Sequence, residues 1–320
     1  MNDSMRIIET DYCLYSKIVS SKSNIIFNAP EFNRLNSYKV DVVKYLLFQK
    51  SEKYKFAFCV GIRDNVILAP FSAPCASIVP LHNRYGIESL EEAVIAFDKW
   101  QEENHYKNIR IILPPDFYDY KSITIIQNAL LRNGYLIQCH DINYAFDLRE
   151  VYKKEYINNL ASNGRKNLNI ALKCNLNLYQ CTTLAEKKEA YEIIENNRNR
   201  RGFPLRMTWT QVAETIQLVK HDVFIVKRDN VSIAAAFIYY INNEVCSVIY
   251  WGDIDGYSHV KPINYLSYQL IQFYGEKGIK YLDIGISTED GVPNYGLCDF
   301  KDSIGCFPSS KYIFTKFNVE

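Results

Sequence analysis

Two stretches far apart in the chain carry the same hairpin signature: KFAFCVGIRDNVILAPF at 55–71 and DVFIVKRDNVSIAAAF at 222–237. In each, two β-rich runs flank an Asp-Asn pair, Asp64-Asn65 and Asp229-Asn230. Residues of that type accept the left-handed backbone of a short hairpin turn. Each hairpin is followed by a helix, a strand and further elements in the same order, with little identity outside the turns. Two copies of one α/β unit account for this, and 320 residues suit two domains at roughly 150 residues each. No GxGxxG follows any strand and the hairpins demand antiparallel pairs, so a mixed sheet is expected rather than a doubly wound parallel one.

The elements between the hairpins are legible from period and punctuation. Leu90, Ala93, Val94, Phe97 and Trp100 fall at helical spacing over 87–104. NIRIIL is a strand stopped by Pro114-Pro115, and SITIIQNALLRNG is a helix ending at Gly134. YLIQCHDINYAFDL follows as strand. REVYKKEYINNL is expected as a helix broken at Asn163-Gly164, before a second helix, RKNLNIALKC, and the strand LNLYQC. LAEKKEAYEIIENNRNRRG is a long helix closed by Gly202. Three strands with turns at Asp229-Asn230 and Asn242-Asn243 lead to a loop, Asp253 to Pro262, a helix ending at Gly278, and the strand KYLDIG.

Composition narrows the class. Hydrophobic residues make up 48% and aromatics 14%, enough for sizeable cores and against disorder. Thirty-seven basic residues against 36 acidic ones leave a net charge of +1. That balance does not draw the whole molecule to nucleic acid, and no DNA partner is expected. Nine cysteines lack CxxC spacing, so reduced thiols, no metal centre and a cytoplasmic location are expected. No apolar run approaches the roughly 18 residues of a membrane span.

Several positions could carry chemistry. A strand-to-helix loop such as Asp253–Pro262 presents unpaired backbone N–H groups and a positive dipole end, suited to phosphate or an oxyanion, although such loops also occur without function. Asp283, inside the apolar strand KYLDIG, is either a general base or a structural acceptor for nearby N–H groups. His259 could take a proton from an amine, or simply be solvated. Arg198, Arg200, Arg201 and Arg206 cluster at a helix end, where they favour the dipole or bind phosphates. Arg165-Lys166 poses the same choice. In NYGLCDFKDSIGC, read as loop-like, Lys301 follows Phe300 where the pattern otherwise looks like packed core.

The stretch IYWGDIDGYSHVKPINYLSYQLIQFYGEKGIKYLDIGIST…NYGLCDFKDSIGC resembles the C-terminal half of the FemABX-like branch of the GNAT acyltransferase superfamily. Pro262, Gly278, Asp283-Ile284-Gly285 and Gly296-Leu297-Cys298-Asp299-Phe300-Lys301 carry the resemblance. SNGRKNLNIALKCNLNLY resembles the segment after the family's linker helix, and APFSAPCASI, Ala69 to Ile78, resembles a strand of its N-terminal unit. The Gln/Arg-x-x-Gly-x-Gly/Ala pyrophosphate signature of ordinary GNAT enzymes is missing.

The resemblance implies an α/β fold of two tandem GNAT-like domains, 1–145 and 146–320, each a mixed, mainly antiparallel sheet flanked by helices. The second would hold most of the active site, near the junction. It implies transfer of an acyl group to an amine acceptor, such as an amino sugar or amino acid of envelope or polysaccharide metabolism, by direct attack. The expected donor is acyl-CoA (acetyl-CoA), with aminoacyl-tRNA and a peptidoglycan-precursor acceptor as the alternative and a non-catalytic binding protein as a third reading. Lys301 would then meet donor phosphate or the oxyanion, an anion compensating its burial. Phe300, Tyr250, Trp251, Gly252, Asp253, Asn264, Arg165 and Lys166 would bind donor, and Asp283 or His259 would accept the amine proton.

Overall fold

The structure is a computed structural model that describes residues 4–23, 25–152 and 156–317. It divides into two compact units, Met1–Asp141 with Ser310–Glu320, and Ile142–Ser309.

In chain order the first unit contains β1 (Arg6–Thr10), α1 (Tyr12–Val19), α2 (Pro30–Leu35), β2 (Val42–Lys50), β3 (Lys53–Arg63), β4 (Val66–Ala69), β5 (Val79–Pro80), α3 (Ile87–Glu103), β6 (Asn108–Ile112), α4 (Tyr120–Arg132) and the start of β7 (Leu136–Asp147). The second contains the rest of β7, α5 (Leu148–Val151), α6 (Tyr156–Asn159), α7 (Ser162–Leu172), β8 (Leu176–Gln180), α8 (Leu184–Arg200), α9 (Trp209–Leu218), β9 (His221–Arg228), β10 (Val231–Tyr240), β11 (Val245–Asp253), α10 (Pro262–Glu276), β12 (Tyr281–Ile286), β13 (Thr288–Glu289), β14 (Val292–Pro293) and α11 (Tyr295–Ser303). The last strand, β15 (Phe307–Phe317), returns from Ser310 onward to the first unit.

Each unit is a mainly antiparallel sheet flanked by helices, built to one plan. In the first, β1-β2-β3-β4 are antiparallel neighbours, β4 pairs parallel with β6, and β15 closes antiparallel on β6. In the second, β8-β9-β10-β11 are antiparallel, β11 pairs parallel with β12, and β7 closes antiparallel on β12.

The duplication is therefore in the architecture, but the two Asp-Asn hairpins are not equivalent. Asp64-Asn65 joins the third strand of its sheet to the fourth, whereas Asp229-Asn230 joins the second to the third. All four residues have positive φ, between 48° and 66°, so the local turn chemistry repeats while its place in the sheet does not. A second correction concerns the domain limits. The closing strand of the first sheet comes from the chain end, Ile313 opposite Ile112 through Phe317 opposite Asn108, so residues from 310 do not go with the second unit.

Local rules otherwise operate as read. The α3 stripe Leu90, Ala93, Val94, Phe97 and Trp100 is buried in the first core with Phe56, Phe58 and Ile109, each large side chain contributing roughly 1.5–3 kcal/mol. α8 opens on a capping box, Thr183 with Glu186. The helix expected over 149–160 falls partly outside the described residues, and α5 and α6 stand on either side. Asn163-Gly164 does not break a helix; it lies in the first turn of α7. A Cβ at Gly164 would come within 1.8 Å of the Ser303 carbonyl oxygen, so glycine lets the end of α11 approach the α7 backbone. NYGLCDFKDS, read as loop-like, is the helix α11, whose N-cap Asn294 accepts from the Leu297 N–H. Among the described residues no helix is long and apolar enough to cross a membrane.

Candidate active site

The second unit brings together the β11 end, the loop to α10, the C-terminal half of α8, and α11. Gly252 is needed because a Cβ there would meet the Asn197 side chain at 2.9 Å. Asn197 Nδ2 donates to both the Asp253 carbonyl and its Oδ1, each at 2.7 Å. Arg200 pairs with Asp255 at 3.1 Å and lies 3.9 Å from Asp253, with Arg201 4.0 Å away. Burial raises the Asp253 carboxyl above its usual range, while Arg201 and Arg200 oppose that rise. Asp253 thus anchors the loop to α8, which accounts for its burial without a ligand.

The loop turns at Gly256 and reaches α10 through Lys261, which has φ +55°. Lys261 offers no side-chain cap and Pro262 occupies the first helical turn, so first-turn N–H groups have no capping side chain. Asn264, on the same turn, is buried, and its Nδ2 has no hydrogen-bond partner among the described residues. An unsatisfied amide donor beside an uncapped helix start is what a carbonyl or oxyanion oxygen would satisfy. His259 does not join this group. It is exposed, stacks on Tyr257 and faces Arg228 Nη1 at 3.3 Å. A guanidinium only donates, so that imidazole nitrogen accepts.

Lys301 is 2% exposed, and its ammonium donates to the carbonyls of Ile284, Gly285 and Ile286 at 3.0, 2.8 and 3.0 Å. Those carbonyls are available because Gly285, at φ +76°, bends the chain, and the pairing of β12 with β7 slips between Asp283 and Ile286. The Tyr144 ring lies 5.5 Å from the ammonium. Burial pushes the Lys301 amine down to about 8, with Cys306 and Asp283 opposing and Arg198 adding to the shift. The expectation that an anionic ligand compensates this cation is corrected: three backbone oxygens do, and they use all three of its protons. Asp283 belongs to the same bend. Its Oδ1 accepts from Gly285 N and Asn143 Nδ2, both at 2.9 Å, which is the structural-acceptor geometry.

A different pair of cations is unused. Among the described residues, the guanidinium groups of Arg198 and Arg206 make no ion pair or hydrogen bond. Both act on Tyr250: burial raises its phenol, and Arg198 and Arg206 oppose the rise. Burial and Arg201 in turn lower the Arg198 pKa. Trp251, next along β11, meets Phe300 edge-on at 6.3 Å. The four-arginine cluster therefore splits, two tied to Asp253 and Asp255 and two that, among the described residues, meet no carboxylate. Arg165 and Lys166 stand apart. Arg165 donates to the Asn158 and Leu160 carbonyls at 2.9 and 3.1 Å, and with Lys166 it lines an open depression of about 460 Å³ on α7 with Ser162, Asn169, Ile170 and Lys173.

Sequence reasoning missed Asn197 and Tyr144, which no local pattern distinguishes from packing residues. It also missed Tyr239 on β10, whose buried hydroxyl has no hydrogen-bond partner among the described residues.

No protein-family model matches the chain, and no curated protein matches it by sequence. Solved structures do. The crystal structure of FemX superposes with a TM-score of 0.69 at 12% identity, over 98% of this chain and 97% of that one. The structure of L-PGS from Bacillus licheniformis gives 0.60 at 13%, over 98% and 94%. The C-terminal domain of a putative lysylphosphatidylglycerol synthetase from Agrobacterium fabrum gives 0.60 at 10%, over 96% and 93%. The fold is the FemABX-like, GNAT-type fold.

Proposed function

We propose that the protein is an N-acyltransferase whose second unit binds an anionic, phosphate-bearing acyl donor through Arg198 and Arg206 beside Tyr250. The observation carrying this reading is that pair of guanidinium groups, which among the described residues meet no carboxylate. Arg198 is half-buried, so its unpartnered charge costs stability that a bound phosphate would return, and the exposed Arg206 is free to reach the same anion.

The chemistry that follows is direct attack. The acceptor amine adds to the acyl carbonyl, forming the C–N bond. The resulting oxyanion accepts from Asn264 Nδ2 and from first-turn N–H groups of α10, and its collapse breaks the acyl bond to the donor, expelling a CoA thiolate or a ribose alkoxide that takes a proton from water. The amine proton leaves to water, since Asp283 is engaged at the β12 bend and His259 faces Arg228. Lys301 supports the site by holding the backbone at Gly285. Acyl-CoA is the donor we favour. The second reading, aminoacyl transfer, is favoured by the fold shared with a putative lysylphosphatidylglycerol synthetase.

The test is thermal unfolding with acetyl-CoA, free CoA or charged tRNA, because a ligand selective for the folded state raises Tm. Acetyl-CoA should stabilise the wild type and not Arg198→Ala. Stabilisation by charged tRNA alone selects the second reading, and no response to any of the three rejects transferase function.

A further inference from the structure

Two surface features of the second unit stand outside the candidate site, and their charges are opposite. The first is a short arm. β13 and β14 pair only with each other, Thr288 opposite Pro293 and Glu289 opposite Val292, and neither joins the main sheet. The turn between them, Asp290-Gly291, has φ of 47° and 78°, the left-handed pair that a two-residue hairpin needs. Val292 is 68% and Tyr295 76% exposed, the two highest values among the large exposed hydrophobic residues described. Glu289 and Asp290 are also exposed, and among the described residues they make no ion pair. Ser287 to Tyr295 contains no basic residue. Two such apolar side chains on one acidic ribbon mark a contact surface rather than scattered exposure.

The second is the depression of about 460 Å³ on α7. Its lining includes Arg165, Lys166 and Lys173, with half-buried Ile170 as the apolar member. No acidic residue occurs from Ala161 to Asn175. Lys166 and Lys173 make no ion pair or hydrogen bond among the described residues. Arg165 bonds the Asn158 and Leu160 carbonyls and meets no carboxylate among them. The chain as a whole carries only +1, so charge has been sorted by sign between these two places.

We infer that the protein pairs with a second copy of itself, the β13–β14 arm of each chain entering the α7 depression of the other. Glu289 and Asp290 then face Lys166 and Lys173, and Val292 and Tyr295 cover Ile170. A second copy fits better than an unrelated partner because one chain carries both halves of the contact. An arm and a depression that complement each other in charge generate two identical seats about a two-fold axis, a closed arrangement. Two seats also bury twice the area that a single short ribbon offers. The inference concerns the second unit's surface and does not depend on the transferase reading.

The test is sedimentation velocity of the full chain over a wide concentration range, at low and high salt. The wild type should reach twice the chain mass, and salt should weaken the association. Glu289→Lys with Asp290→Lys should weaken it about tenfold or more, and so should Lys166→Glu with Lys173→Glu, because each double variant sets like charges together. All four side chains are exposed, so both variants should fold, which circular dichroism checks. An equimolar mixture of the two variants should dimerise again, since every seat then joins opposite charges. Leu131→Lys, at an exposed leucine of α4, should leave the association unchanged. A monomer at every concentration, a dimer indifferent to both double variants, or a mixture that stays monomeric overturns the assignment.

Discussion

Replacing Lys301 by methionine separates the two roles that can be imagined for a buried lysine. The substitution keeps length and apolar packing but removes three hydrogen bonds to the carbonyls of Ile284, Gly285 and Ile286. Leaving a buried acceptor unpaired costs about 2 kcal/mol, so the gross loss is about 6 kcal/mol. Burial opposes the charge, pushing the amine from 10.5 to about 8, and relief of that strain returns about 3 kcal/mol. The net destabilisation near neutral pH is about 3 kcal/mol, or a Tm lower by roughly 6–12 °C for a domain of this size.

The pH dependence gives a second reading of the same quantity. Because the folded-state pKa is depressed, the unfolded chain holds more protons between about pH 8 and 10.5. Wild-type stability therefore rises with pH through that window, by up to about 3 kcal/mol, relative to Lys301→Met, which has nothing to titrate there. Below pH 8 both states are protonated and the difference is constant. The assay is urea unfolding of both proteins from pH 7 to 10.5, so that other titrations cancel in the difference. If Tm at pH 7 stays within 2 °C of wild type while donor binding is lost, the ammonium serves a ligand and the structural role is wrong.

Arg198→Ala should change stability by less than about 1 kcal/mol, since among the described residues the guanidinium has no ion-pair or hydrogen-bond partner to lose; acetyl-CoA affinity measured by calorimetry should fall about tenfold or more. Tyr239→Phe removes an unpaired buried hydroxyl and should stabilise the chain by about 1 kcal/mol in urea unfolding. Gly164→Ala places a Cβ against the Ser303 carbonyl and should cost roughly 3 kcal/mol, because backbone must move; an unchanged urea midpoint would mean that α7 and α11 do not pack so closely.

What the sequence determined by itself was local. Period marked the buried stripe of α3, glycine marked the ends of α4, α8 and α10, and Asp-Asn marked two tight turns, because these signals act within one helical turn or one hairpin. The resemblance singled out Gly285 and Lys301, but for donor binding; the bend that they form came from the structure. Tertiary structure decided the rest. Only strand pairing revealed that the two Asp-Asn turns occupy different places in their sheets, and that the chain's last strand completes the first unit. Only packing showed that the Lys301 ammonium is held by three backbone oxygens, while among the described residues Arg198 and Arg206 meet no carboxylate. A side chain's charge is written in its residue type, but its counter-charge is supplied by segments distant in the chain, and no local pattern records which of them will arrive.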